Sequence, residues 1–482
     1  MIIGWITKFE RLLSLLAVFS SMTILVPATV SAQRPVQRLG HLQRASTSEE
    51  TVSQLRAAAS LLENGRATEA EPILRRLLAA NPNNFDAHNL LGIVLDQAGK
   101  TAEAEHEYRT AIRLNPQGVS ALANLGVLFA RTNRSDEAIK TFATVLQIAP
   151  DHPQATLNLG LQYALRGKDA LALPLLQRAI ALGSDGYEVR YRMGVSFYNL
   201  KRYEEAVTAL ESASALSPNS AEPLYYVGLV NWMRGQDEAA AELWDRAIQL
   251  RPNFPEVNFM LGEALRKNQR TQAAVEFYQR ALDQDAKTFA YYARLGGSYF
   301  VLAQYEKALD VFQRAAQRFP QIAEAHYFVG VAARARADYD LAETEFRKSL
   351  ALRPDNVDTL AQLGFIVGER DRYAEAEKLL RRAIAINDKH FYANYDLGRL
   401  FVKSKRYEEA LMILRHAATL KPKHPSVHYQ MFLALSRLKR KAEADSELAV
   451  FKQLDEEFKA QPQQDDDLVE RETTPSVPPP KL

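Results

Sequence analysis

The stretch that decides the fold is ALANLGVLFARTNRSDEAIKTFATVLQIAP, residues 121–150. Apolar residues recur at helical spacing through 121–131, and the polar segment 132–136 interrupts them. Ser135 stands where it would cap a second helix. Pro150 should end that helix, because proline cannot continue the helical hydrogen bonds. The stretch therefore predicts two helices joined by a short turn.

The same pattern recurs at a constant 34-residue period on both sides of that stretch. A glycine series runs Gly92, Gly126, Gly160, Gly194, Gly228, Gly262, Gly296, Gly330, Gly364 and Gly398. An alanine series runs Ala70, Ala104, Ala138, Ala172, Ala206, Ala240, Ala274, Ala308, Ala342, Ala376, Ala410 and Ala444. Four places after the alanine stands an aromatic or Leu, and most units end with Pro. Twelve such units, numbered here repeats 1 to 12, fill 51–458 without a gap.

The constant spacing also predicts how the helices pack. The Gly leaves a hollow in the first helix of each repeat, and the Ala keeps the second helix thin where the two cross. A single repeat cannot bury its apolar face alone, so neighbouring repeats must stack. The chain is therefore expected to form one array of helix pairs between residues 51 and 458.

This pattern resembles the tetratricopeptide repeat (TPR) family, whose signature is L-G-x-x-Y…A-x-x-x-F…P within a 34-residue unit. Repeat 3 carries the signature as Leu125, Gly126, Phe129, Ala138, Phe142 and Pro150. The resemblance implies an all-α, right-handed superhelix of about twelve repeats with a concave groove. It also implies that residues 2, 5, 6, 9, 12 and 13 of each first helix face that groove. Ala58 and Phe432 replace the Gly in the end repeats, as capping repeats often do.

The two ends of the chain differ from the repeats. Residues 1–32 combine an early cationic stretch, an apolar run and small residues, which is the pattern of a signal peptide. An uncleaved membrane anchor over residues 12–30 is the alternative. Residues 33–50 form a polar linker, and 459–482 are expected to be a disordered acidic and Pro-rich tail. Either interpretation of the start predicts an exported chain, in the bacterial periplasm or secreted.

Composition excludes several classes of function. The 482 residues carry a net charge of +2, which argues against a globally basic nucleic-acid binder. Cysteine is absent, so disulfides, thiol nucleophiles and Cys-based zinc sites are excluded. Gly92 and Gly99-Lys100-Thr101 do not have the spacing of a phosphate-binding loop. No motif specifies an enzyme, a cofactor or a metal site.

The groove positions divide into three zones. Asn124 and Asn158 resemble two rungs of the asparagine ladder in the TPR array of O-GlcNAc transferase, where such amides hold a peptide backbone. The second zone is aromatic and comprises Tyr191, Tyr198, Tyr225, Tyr226, Trp232, Phe259, Phe300, Tyr327 and Phe328. Rigid aromatic rings favour interfaces, but packing between neighbouring helices is an equal alternative for each of them. A peptide with apolar anchors, or a glycan stacked on the rings, would fit this zone.

The third zone is electrostatic. Residues 391–441 hold 11 Lys or Arg and 3 Asp or Glu, and Arg399, Lys403 and Arg437 fall at groove positions. Residues 442–472 have the opposite balance, with 3 Lys or Arg and 11 Asp or Glu. An acidic segment, either from a partner or from the chain's own tail, would complement repeats 11 and 12.

The sequence therefore predicts a non-catalytic scaffold or assembly factor that binds protein partners through peptide segments in its groove. A glycan-binding or polysaccharide-export helper is the first alternative. A non-catalytic subunit of an enzyme complex is the second.

Overall fold

A computed structural model describes residues 49–460, which form helices and turns and contain no strand. The expected signal or anchor segment and the acidic tail beyond residue 460 lie outside the described residues. Within the described part, 24 helices follow one another as twelve pairs. The first helix of each pair begins at or within two residues of the start of a repeat, as the 34-residue spacing predicts.

The chain divides into two compact units at Lys201 and Arg202. The described part of the first unit contains nine helices. They are α1 (Glu49–Glu63), α2 (Ala67–Ala80), α3 (Phe85–Gln97), α4 (Thr101–Leu114), α5 (Val119–Arg131), α6 (Ser135–Ile148), α7 (Pro153–Leu165), α8 (Asp169–Ala181) and α9 (Tyr187–Asn199). Each helix packs on the next, and α3, α5 and α7, which are first helices, also contact one another in sequence.

The second unit contains fifteen described helices. They are α10 (Tyr203–Leu216), α11 (Glu222–Met233), α12 (Asp237–Leu250), α13 (Pro255–Lys267), α14 (Thr271–Gln284), α15 (Phe289–Val301), α16 (Tyr305–Arg318), α17 (Ala323–Ala335), α18 (Tyr339–Leu352), α19 (Val357–Glu369), α20 (Tyr373–Ile386), α21 (Phe391–Lys403), α22 (Tyr407–Leu420), α23 (Pro425–Arg437) and α24 (Lys441–Ala460). The first helices α19, α21 and α23 contact one another in sequence. The all-α TPR solenoid predicted from the sequence is confirmed, while its right-handed course stays a prediction.

The packing of each pair depends on the glycine series. A Cβ atom built on Gly126 would lie 2.6 Å from Phe142 Cε1, and one on Gly92 would lie 2.6 Å from Tyr108 Cδ1. Both distances are well inside van der Waals contact. The glycine is therefore the hollow that receives the large side chain of the second helix, as predicted. Phe142 and the crossing alanine Ala138 are fully buried.

The turn inside a repeat has a fixed backbone conformation. The fifteenth residue is left-handed in all twelve repeats, and in eight of them it is not glycine: Asn133, Lys201, Gln269, Ala303, Ala337, Asp371, Lys405 and Lys439 all have φ between 55° and 63°. In repeat 8, the Ala303 N–H donates to Phe300 O at 2.9 Å and the Gln304 N–H to Tyr299 O at 2.8 Å. These bonds satisfy carbonyl groups at the end of the first helix.

Two details of the helix ends differ from the sequence-based expectation. Ser135 is the first residue of α6 and not its cap; the cap position is Arg134, whose side chain caps nothing. Proline is also not needed to end the second helix. In repeat 10, where Asp388 replaces it, α20 still ends at Ile386, and the Asn387 N–H donates to Ala383 O. The stop therefore comes from the local backbone turn.

Candidate functional site

A pocket of about 300 Å³ opens on the first helices of repeats 10 to 12. Its lining residues are Gly364, Phe365, Gly368, Glu369, Leu380, Asp396, Arg399, Leu400, Val402, Lys403 and Gln430. Eight of these eleven occupy positions 6, 9, 12 or 13 of α19, α21 and α23, which the family resemblance assigns to a groove. The three apolar or small exceptions form its floor.

The pocket exists because of Gly368. This residue is at position 12 of α19, where every other repeat carries a side chain larger than a hydrogen atom. A Cβ atom at Gly368 would lie 3.3 Å from Leu400 Cδ1 and 3.4 Å from Ala376 Cβ, so any side chain here would enter the pocket's space. Gly364 similarly lets Leu380 close the floor, because its Cβ position lies 2.7 Å from Leu380 Cγ.

Arg399 lies at one wall of the pocket and is already bound within the chain. Its Nη2 is 3.1 Å from Glu369 Oε1, and its Nε is 3.6 Å from Asp396 Oδ1. The guanidinium also stacks over the Phe365 ring, 4.6 Å from its centroid. The charge and the flat face of Arg399 both have partners.

Lys403 is likewise occupied. Its Nζ is 3.2 Å from Asp371 Oδ1 and donates to Gly368 O at 3.3 Å. A hydrogen bond from Tyr373, followed by that from Lys403, holds the pKa of Asp371 below its usual range. Arg399 and Lys403 are therefore each paired with a carboxylate of this chain, and their role in holding an acidic segment stays a prediction.

Asp396 is the polar group without a donor. Its side chain is only 12% exposed, and no residue between 49 and 460 donates a hydrogen bond to its carboxylate. Burial raises the pKa of Asp396 to about 6, and the positive charge of Arg399 only partly opposes this. A half-buried acceptor that lines a pocket is a feature that a bound group can satisfy.

Arg437 is the third cation that the sequence assigns to the electrostatic zone, and it differs from Arg399 and Lys403 in its surroundings. It is exposed at the end of α23, and no carboxylate of residues 49–460 lies within 4.0 Å of it. It does not line the pocket of repeats 10 to 12.

The two asparagines of the expected ladder have partners inside the first unit. Asn124 Nδ2 donates to Asn89 Oδ1 at 3.0 Å, and Asn158 Nδ2 donates to Gln154 O at 2.8 Å on its own helix. Their donors are therefore engaged, and a role in holding a peptide backbone stays a prediction.

The aromatic zone is mostly part of the core. Seven of its nine members are buried: Tyr191, Tyr225, Tyr226, Phe259, Phe300, Tyr327 and Phe328. The physical reason is the ring packing between helices. The Phe259 ring lies 5.7 Å from Tyr278 and 5.3 Å from Tyr291, and Phe328 lies 5.1 Å from Phe312. This corrects the expectation that the zone as a whole offers its rings to a partner.

Tyr198 and Trp232 are the two half-buried members of that zone. The Trp232 ring lies 6.0 Å from Trp244, and Lys267 Nζ sits 4.5 Å from its centroid. Little of the Trp232 face is left for a stacked ligand.

Sequence reasoning missed Phe365, Gly368, Glu369 and Asp396. All four stand at groove positions of repeats 10 and 11, but only the isolated glycine at position 368 departs visibly from the other repeats. Of the residues that line the pocket, the excess of Lys and Arg in residues 391–441 points only to Arg399 and Lys403. Asp396 carries no sequence signal of its own, because only burial separates it from a solvated carboxylate.

Two features are absent from residues 49–460. No group of three or more His, Asp or Glu side chains is placed to hold a metal ion. None of the helices in this part of the chain combines the length and the apolar character needed to cross a membrane.

Structures of several TPR proteins are similar to this chain. Yeast Tom70 is 13% identical over 82% of this chain and 96% of its own, with a TM-score of 0.35. Cut9, from the APC/C hetero-tetramer Cut9-Hcn1, is 12% identical over 80% of this chain and 97% of its own, with a TM-score of 0.40. YrrB, described as a TPR protein with an unusual peptide-binding site, is 22% identical over 41% of this chain and 99% of its own, with a TM-score of 0.34. No curated protein sequence matches the chain.

Family models match nearly the whole array. A tetratricopeptide repeat model matches residues 55–105, 91–153, 125–187 and 191–255. A TPR model of the C-terminal domain of cilia and flagella-associated protein 70 matches residues 240–467. With the 34-residue spacing and the twelve helix pairs, these matches show that the chain belongs to the tetratricopeptide repeat family.

Proposed function

We propose that this chain is a non-catalytic scaffold that binds a peptide segment of a partner protein in the pocket of repeats 10 to 12. TPR arrays in general are protein-interaction scaffolds, and the pocket gives that role a place on this chain. The observation that supports it is the opening at Gly368, which sits among hydrogen-bonding side chains at groove positions. Sites of this kind combine an apolar floor with a few polar groups that fix orientation.

The pocket suits a peptide because it presents both acceptors and donors. Asp396 and Glu369 can accept, and the Gln430 amide can do both. Phe365 and the floor residue Leu380 add apolar surface. A single side chain of a partner, together with its backbone, would fill a space of about 300 Å³.

A selection from a random dodecapeptide display library tests this proposal. The full chain and its Gly368→Leu variant would be selected in parallel, because a leucine at position 368 fills the pocket. Ser436→Leu is the matched control: the same side chain at the same position of repeat 12, exposed and outside the pocket. Circular dichroism would verify that all three proteins fold alike.

Peptides that bind the wild type and Ser436→Leu, but not Gly368→Leu, support the proposal. The same enriched peptides in all three selections, or no enrichment in any, would contradict it.

An acidic segment is a second candidate occupant of repeats 11 and 12, at a different place. It is favoured by Arg437, which is exposed and has no described carboxylate nearby. The chain's own residues 465–472, with five Asp or Glu, are one source of such a segment. A glycan ligand has less support, since the aromatic residues that it would stack on are mostly buried.

We also propose that the chain is exported, to a bacterial periplasm or to the outside of the cell, or is held at the membrane by residues 12–30. The support is the pattern of residues 1–32. N-terminal sequencing of the protein isolated from its source tests this. A chain that starts after Ala32 supports cleavage, and one that starts at Met1 and needs detergent supports the anchor. A detergent-free chain that starts at Met1 would contradict both.

A further inference from the structure

We infer that the pocket of repeats 10 to 12 takes a basic side chain of the partner, lysine or arginine, with the Asp396 carboxylate as its acceptor. This inference rests on the proposed function, because it names the chemistry of the peptide that the pocket binds. It reverses the charge expected from the sequence, which pointed to an acidic guest at Arg399 and Lys403.

The first step is that the pocket's own cations are already neutralised. Arg399 has Glu369 at 3.1 Å and lies on the Phe365 ring. Lys403 has Asp371 at 3.2 Å and the carbonyl of Gly368 at 3.3 Å. An anionic guest would approach these cations beside the carboxylates of Glu369 and Asp371, whose negative charges oppose it.

The second step is that Asp396 lacks what the other polar groups have. Its nearest cationic atom, Arg399 Nε, is 3.6 Å away, beyond a normal hydrogen bond, and that guanidinium is closer to Glu369. A lysine ammonium or an arginine guanidinium would supply a donor and a charge at the same time, and charge-assisted hydrogen bonds are the stronger kind. The aliphatic stem of either side chain would lie against the apolar floor.

The third step is the electrostatic surroundings of Asp396. The charged groups that act on it are Arg399 on its own helix, Glu369 on α19, Arg334 on α17 and His390 before α21. Arg334 and Arg399 both stack on Phe365, at 5.5 and 4.6 Å. Despite these cations, burial still raises the pKa of Asp396 to about 6. The neighbouring cations therefore do not offset the desolvation of the ionised Asp396 carboxylate, and an added cation would stabilise its charged form.

The test uses the pocket-dependent peptide from the library selection, resynthesised with lysine replaced by norleucine or arginine by citrulline. Both replacements keep the size of the side chain and remove its charge. Calorimetric titration of the full chain should give at least a tenfold weaker Kd for the neutral peptide, about one charge-assisted contact. Asp396→Asn should weaken binding of the basic peptide by a similar factor and leave the Kd of the neutral peptide unchanged. Glu408→Gln, an exposed carboxylate on α22, is the control and should change neither.

The pH dependence is the second readout. With a pKa near 6, ionised Asp396 falls from about 97% at pH 7.5 to about 9% at pH 5.0. Lysine and arginine stay charged over this range. Binding of the basic peptide should therefore weaken about tenfold on acidification in the wild type, and Asp396→Asn should lose this dependence.

Failure of this inference can be told apart from failure of the proposed function. Peptides that need an open pocket but contain no basic residue would overturn the inference alone. The same holds if Asp396→Asn keeps the wild-type affinity and pH profile for the basic peptide. If no peptide depends on Gly368, the proposed function fails and the inference fails with it.

Discussion

At the scale of single residues, glycine has two different roles in the first helices of this chain. Gly330 and its equivalents at position 8 admit a large side chain from the second helix. Gly368, four residues after Gly364, has its nearest side-chain atoms at 3.3 and 3.4 Å from the Cβ position and lines an open pocket. The sequence predicts the first role, because the 34-residue series makes it visible. It cannot separate out the second, because an isolated helical glycine has no periodic signature.

This difference gives a paired prediction. A Cβ atom on Gly330 would lie 2.5 Å from Phe346 Cε1, so Gly330→Ala should destabilise repeat 9 by about 1–3 kcal/mol through overpacking. At Gly368 the nearest atom is Leu400 Cδ1, the end of a side chain, at 3.3 Å. A shift of a few tenths of an ångström by this methyl group makes room for a Cβ atom, so Gly368→Ala should be neutral or stabilising by up to about 1 kcal/mol from helix propensity.

Amide hydrogen exchange measures both effects locally. The loss of protection in Gly330→Ala should be largest in repeats 8 to 10, because each repeat contacts only its neighbours. Equal effects from the two substitutions would show that space at the Cβ position does not control stability.

A second residue-scale prediction concerns the left-handed turns. Ala303 and Ala337 are exposed and have φ of 55° and 58°, a conformation that a Cβ atom disfavours. Ala303→Gly and Ala337→Gly should each stabilise the array by about 0.5–1 kcal/mol, after the added entropy of the unfolded glycine is subtracted. Chemical denaturation measures the shift.

The reverse change at an equivalent turn is the control. Gly235 has φ of 74° and nothing within 4 Å of its Cβ position, so Gly235→Ala should destabilise by strain alone. A stabilising Gly235→Ala would remove the basis of the prediction.

At the scale of helices, repeats are joined by contacts that the sequence does not show directly. Arg406, the residue before α22, pairs with Glu377 of the preceding repeat and with Glu409 on α22. The 34-residue spacing predicts where helices lie and which positions face a groove. The partner of each charge depends on how consecutive repeats stack, so the pairing of Arg399 with Glu369 and of Lys403 with Asp371 could not be predicted from the spacing.

One such contact recurs in three repeats. His88, His326 and His428 stand at the fourth position of a first helix, and each ring joins a Glu of the second helix to a proline carbonyl of the preceding repeat. In repeat 9 the distances are 2.6 Å from His326 Nδ1 to Glu345 Oε2 and 3.2 Å from Nε2 to Pro320 O. The histidine therefore links a helix pair to the connection before it.

Removing this link should destabilise repeat 9. His326 and Glu345 are both buried, so His326→Phe leaves the Pro320 carbonyl without its donor and Glu345 with Lys348 alone. The substitution should lower the free energy of unfolding by about 1–3 kcal/mol. Chemical denaturation and hydrogen exchange of the amides near residue 322 measure this loss. His106→Phe is the matched control, because His106 is exposed on α4, bonds no carbonyl of the described connections, and should tolerate the change. A cost no larger than that of the control would contradict a structural role for the link.

At the scale of the whole molecule, the charge along the chain is strongly uneven. Residues 391–441 carry 11 cations and 3 anions, and 442–472 carry 3 and 11. In the described part, Arg399 and Lys403 are paired with carboxylates of this chain. The exposed cations around the turn of repeat 12, between α23 and α24, are Arg437, Lys439, Arg440 and Lys441, of which Arg440 pairs with Glu443. The net positive surface available to an acidic segment is therefore Arg437 with Lys439 and Lys441.

The last prediction is that the chain's own acidic end competes for this surface. A segment joined to the array by a short linker acts at an effective concentration of about millimolar, so even surface pairs of about 0–1 kcal/mol each would compete with a partner. Truncation after Lys459 should therefore strengthen binding of a synthetic peptide with the sequence of residues 461–476 at about 50 mM salt, where surface charges are weakly screened. The gain should vanish near 1 M salt, where the Debye length falls to about 3 Å.

Arg437→Ala should weaken binding of this peptide to the truncated chain, whereas Arg415→Ala, an exposed arginine on α22, should not. Equal affinities of the full and truncated chains at low salt would mean that residues 465–472 do not act on repeat 12.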